Sequence, residues 1–194
     1  FVTRDSFAQV DSDALKLARE LSATWLDDIA RVFSALGAIA AAVIVSVAAA
    51  IFLFVRKRIP EALALLLGVG LIDVIATIIQ ATAARPHPSG AVINTVAYSF
   101  PSEHAALSVT FVAAAVAVAH ALPKFAHRVA LVTVSIVLVS LICLSRLYLQ
   151  TDYPGDVLGG LGLGVAIFSF LGSCALVINY FAARSGPVSS TPSS

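Results

Sequence analysis

The sequence has no methionine, only two cysteines and one tryptophan, and Lys, Arg, Asp and Glu together make up only 12% of its 194 residues. Each shortage excludes something. Without methionine, Phe1 is not a natural start, and an upstream segment is expected. Two cysteines, Cys143 and Cys174, build no disulfide framework. A charged fraction about half that of an ordinary soluble protein (~25%) argues against both a disordered chain and a water-facing domain. The net charge of +1 leaves no basic surplus for nucleic acid. What the chain has in abundance is apolar residue, 59% of the total, at a mean hydropathy of +0.97.

The apolar residues are blocked into runs over 32–55, 62–84, 105–122, 129–144 and 157–181. The first, 24 residues long, has only Ser34 and Ser46 as polar side chains. At about 1.5 Å per residue it spans roughly 36 Å, enough to cross a hydrocarbon core of about 30 Å. The fourth is shorter and needs residues 126–128 and Ser145 to reach both interfaces. Backbone in lipid must satisfy its own hydrogen bonds, so each run is expected to be a helix. The fold class expected is therefore an all-α polytopic transmembrane bundle of five spans.

Short loops set the orientation. Residues 56–61 carry Arg56, Lys57 and Arg58, and residues 123–128 carry Lys124 and Arg128. The loops over 85–100 and 145–156 hold one arginine each, Arg85 and Arg146. The positive-inside rule puts the first pair in the cytoplasm, with the C-terminus, in a plasma or inner membrane. Residues 1–31 have Ala14, Leu17, Leu21, Trp25 and Ile29 at helical spacing, with acidic residues between them. They are expected to form an amphipathic, extracytoplasmic interfacial helix. The bundle proper is then 32–184, and the Ser/Pro-rich stretch 185–194 a disordered tail.

That topology gathers Arg85, His87, Glu103, His104, Arg146, Asp152 and Asp156 at the extracytoplasmic face. Two helices begin there, offering unpaired N–H groups and the positive ends of their dipoles. With two arginine forks, such a place suits a phosphate. No ligand spacing points to a metal.

Arg85-Pro86, then Pro101-Ser102-Glu103-His104, then Ser145-Arg146 with Asp156 following, resemble in order the three signatures of the type 2 phosphatidic acid phosphatase superfamily. Members carry one more span than the five counted, so a further span is expected upstream. The resemblance implies a hydrolase acting on lipid phosphate or polyprenyl diphosphate without metal or cofactor. In that mechanism a histidine attacks phosphorus, an aspartate orients it, and a second histidine protonates the leaving group. By position, Arg85, Ser102 and Arg146 match the phosphate-binding residues, His104 the general acid and Asp156 the orienting aspartate. Asp152 stands at the nucleophile's position, where the family has histidine, and Ile78 where it has lysine. Glu103 replaces a glycine.

Two functions stay open on these residues. One is a membrane lipid phosphatase-like protein that keeps the phosphate site, with hydrolysis lost or carried by Asp152. The other is a non-catalytic lipid-binding or accessory subunit of a larger membrane complex. His87 is read as a plain loop residue, and His120 and His127 as structural. Asp73, ionisable in mid-span, is a functional candidate by default, its plainer role being a hydrogen-bond partner inside the bundle. The glycines between 155 and 164 are read mainly as places of close helix approach.

Overall fold

A computed structural model describes residues 24–89 and 98–184. Among the described residues six helices follow one another: α1 Thr24–Leu36, α2 Ile39–Val55, α3 Ile59–Ala83, α4 Glu103–Ala119, α5 Phe125–Tyr148 and α6 Pro154–Arg184. The residues expected to form most of the amphipathic N-terminal helix, 1–23, and the tail 185–194 lie outside the described part.

Local chemistry explains the helix ends. α3 opens on Pro60, whose missing N–H costs nothing in a first turn, followed by Glu61 at the positive end of the dipole. α4 starts after Ser102, whose hydroxyl accepts from Ala105 N at 3.4 Å. α5 stops in a closed C-terminal motif. Gln150 takes a left-handed φ of 53°, its N–H bonds Leu147 O at 3.1 Å, and Thr151 N–H bonds Arg146 O at 3.1 Å.

The bundle is inside-out relative to a water-soluble one. Large apolar side chains such as Ile44, Leu67, Val134 and Phe170 stand exposed around the outside. The centre belongs to α4, which packs on α2, α3, α5 and α6. Its residues 105–110 are all buried, as befits a helix enclosed by neighbours. α3, α5 and α6 are each long and apolar enough to cross a membrane. α4, at 17 residues, is one residue shorter than the expected run of 105–122.

The first run departs from the expected straight span. It breaks at Gly37–Ala38, and α1 meets α2 at 52°. The chain is closely packed at the break: a Cβ on Gly37 would lie 2.7 Å from Ile142 Cγ2 and 3.2 Å from His104 Cβ. α1 therefore runs through the expected boundary at residue 31 and folds against the end of α5. Tyr148 donates there to Asp27 Oδ1 at 2.8 Å. Trp25 remains exposed on it.

Candidate active site

Arg85, Ser102, Arg146, Asp152 and Asp156 do come together, at the end of the bundle where α3 and α5 finish and α4 and α6 begin. Each is placed by the helix terminus beside it. The closed motif after α5 turns Thr151 and Asp152 back over Arg146, the last basic residue of that helix. Arg146 Nε then donates to Asp152 Oδ2 at 2.8 Å, and its Nη1 donates to Ser34 Oγ of α1 at 2.9 Å. Ser102 Oγ donates to the same Asp152 Oδ2 at 2.9 Å. Arg146, Asp152 and Ser102 are all buried.

Asp156 is the third residue of α6. Its Oδ2 accepts the N–H of Tyr153, just ahead of the helix, at 3.0 Å, the reciprocal half of a capping box. Its Oδ1 accepts from Arg85 Nη1 at 2.5 Å, and the Arg85 guanidinium lies 4.2 Å from the centre of the Tyr153 ring. The α4 and α6 starts are joined directly, Ser102 N–H bonding Asp156 O at 2.9 Å. Gly160 permits this: a Cβ there would fall 2.2 Å from Ser102 O.

Each arginine thus has its own aspartate. Asp152 Oδ2 holds two donors at once, Arg146 Nε and Ser102 Oγ.

His104, on the first turn of α4, packs its Cβ and backbone against Gly37. Glu103 is half-buried beside it, within electrostatic reach of Asp73 and Arg146. Two placements add to the sequence reading. His87 is no bystander: its Nδ1 lies 2.5 Å from Thr151 O and 3.9 Å from Asp152 Oδ1. Ile78 is 57% exposed on the outer face of α3. Seven residues put Ile78 and Arg85 on one face only while a helix continues, and α3 ends at Ala84 in a left-handed conformation. The residue of that turn directed inward is Gln80, which donates to Pro101 O at 3.0 Å. Ser34, Gln80 and Tyr153 were not singled out from sequence. Ser34 alone left a signal, as one of two polar residues in a 24-residue apolar run.

Fold and site together define a helical integral membrane protein with a buried arginine–aspartate cluster at one end of its bundle. The chain belongs to the PAP2 superfamily, whose family model matches residues 61–179. Among solved structures it is similar to a transmembrane PAP2-type phosphatidylglycerolphosphate phosphatase from Bacillus subtilis. The TM-score is 0.79 at 24% identity, over 89% of this chain and 88% of that one. It is also similar to LpxE from Aquifex aeolicus, with a TM-score of 0.61 at 21% identity over 84% and 94% of the two chains. At those identities the likeness is one of fold. No curated protein matches the chain.

Proposed function

We propose that this PAP2-family membrane protein recognises a lipid-borne phosphate or diphosphate at its extracytoplasmic face and does not carry out the family's histidine-dependent hydrolysis. The observation that carries the reading is Asp152 Oδ2 receiving both Arg146 Nε and Ser102 Oγ. A carboxylate there attracts the cation that a phosphoryl group needs and repels the group itself. It also stands at the chain position where the family carries its attacking histidine, the nearest imidazole being that of His87, 3.9 Å from Asp152 Oδ1. The two arginines, the serine and two helix N-termini still converge, so recognition of an anion survives once Asp152 yields its donors. The basic loops at the opposite end of the bundle support the orientation, with Arg85 and Arg146 outside and the C-terminus inside.

The test is phosphate release from phosphatidic acid, phosphatidylglycerolphosphate and a polyprenyl diphosphate, alongside binding of the same lipids. The expected outcome is saturable binding with release no faster than the protein-free blank. Rapid turnover abolished by Asp152→Asn would instead make Asp152 a nucleophile forming an acyl phosphate. Absence of both binding and release would favour an accessory role within a membrane complex.

A further inference from the structure

At the end of the bundle opposite the arginine–aspartate cluster, α3, α4 and α6 separate around a groove of about 510 Å³. That volume is within the range of small-molecule sites, about 300–1,000 Å³. On α4 the lining runs from Val109 to His120, about 16 Å at 1.5 Å per residue. One leaflet of a hydrocarbon core about 30 Å thick has the same depth. The walls are apolar along Val112, Val116 and Phe168, and Gly172 widens the groove, since a Cβ added there would meet nothing within 4 Å.

The mouth is polar and only partly satisfied. Glu61 Oε1 accepts from Asn179 Nδ2 at 3.0 Å, and Arg58 Nη1 lies 3.6 Å from the same oxygen. Glu61 Oε2 is buried with no hydrogen-bond partner among the described residues. A buried carboxylate oxygen without a donor is costly. Arg58, about a third exposed, offers a cation within the same cluster. A leaflet-deep apolar slot ending in an acceptor beside a cation matches an amphiphile whose head carries both an N–H donor and an anion.

We propose that this groove holds an acyl chain of a glycerophospholipid with a primary-amine headgroup, drawn from the leaflet opposite the Arg85–Arg146 cluster. Its ammonium bonds Glu61 Oε2 and its phosphate meets Arg58. The site is separate from the arginine–aspartate cluster and independent of whether that cluster hydrolyses anything.

The discriminating pair of probes is phosphatidylethanolamine and phosphatidylcholine with identical acyl chains. They share glycerol, phosphate and net charge and differ in N–H donors. Native mass spectrometry of the purified full chain, titrated with each lipid, should show one phosphatidylethanolamine retained with a Kd about tenfold lower, as a charged hydrogen bond implies. Glu61→Gln should remove most of that preference. Gly172→Leu, whose Cβ meets nothing within 4 Å and whose side chain occupies the groove, should abolish the tight lipid with either headgroup; Val116→Phe on the facing wall repeats the test if Gly172→Leu does not fold. Equal affinity of the parent for both lipids would overturn the headgroup match. A folded Gly172→Leu protein retaining the tight lipid would place that lipid elsewhere. A lipid-free dimer that Gly172→Leu dissociates would make the occupant a second copy of the chain and overturn the proposal.

Discussion

A phosphoryl oxygen entering between Arg146 and Ser102 must first displace Asp152 Oδ2, which lies 2.8 Å and 2.9 Å from their donor atoms. Asp152→Asn removes the competing charge while keeping the side chain's shape. It should strengthen vanadate binding about tenfold, whereas Arg146→Ala, which deletes a charge-assisted donor, should weaken it by at least as much. Isothermal titration of the two variants checks opposite signs at adjacent residues; equal affinities would mean that the cluster is purely structural. Turnover follows the same logic. Asp152→His restores an imidazole four residues before Asp156 and removes a negative charge, so it should raise phosphate release above the parent. Adding Ile78→Lys should contribute nothing further, because that side chain leaves the bundle. Gln80→Lys puts the cation on the inward side of the same turn and should add to the recovery. The residue types of the cluster were legible in the sequence because three motifs carry them. Their pairing was not: which aspartate takes which arginine depends on how α5 closes and α6 is capped, over separations such as the 71 residues between Arg85 and Asp156.

Helix spacing around the site rests on glycine, though not on every glycine in the run from 155 to 164. Gly160 and Gly164 seat α6 on α4: Cβ atoms there would fall 2.2 Å from Ser102 O and 2.5 Å from Ala106 O. Backbone atoms cannot give way as a flexible side chain can. Gly160→Ala should therefore cost about 1–3 kcal/mol, the range for overpacking a tight contact, and should shift Ser102. Gly162 faces open space, so Gly162→Ala should be neutral or slightly stabilising through helix propensity. Melting curves of the two variants in one detergent read the contrast, and an equal loss in both would mean that helix flexibility matters more than contact. From sequence, the glycines announced close packing without saying which of them touch, since that depends on the crossing point of two helices. The bend at Gly37 was hidden for a similar reason. The run from 32 to 55 is apolar apart from Ser34 and Ser46, and the contacts of Ile142 and His104 at the break come from elsewhere in the chain.

Across the whole molecule, the hydrophobic runs made the bundle legible because lipid leaves a buried backbone little choice but helix. Uniform hydropathy hid the centrality of α4: its residues 105–110, buried on every side, look no different in sequence from those of the lipid-facing helices. Orientation is carried by charge. The connecting loops at one end hold Arg56, Lys57, Arg58, Lys124 and Arg128, and those at the other end hold Arg85 and Arg146, with Arg31 on the neighbouring α1. Two single cysteines read the outcome in a Cys174→Ser background, where the remaining Cys143 is buried. Ser89→Cys lies in the exposed loop just beyond Arg85, and Ala126→Cys at the exposed start of α5. A membrane-impermeant maleimide applied to intact cells should label Ser89→Cys, and should reach Ala126→Cys only after permeabilisation. The reverse pattern would turn the molecule over and move the arginine–aspartate cluster to the cytoplasm. Its lipid phosphate would then have to come from the inner leaflet, and the amine-headed phospholipid of the opposite groove from the outer one.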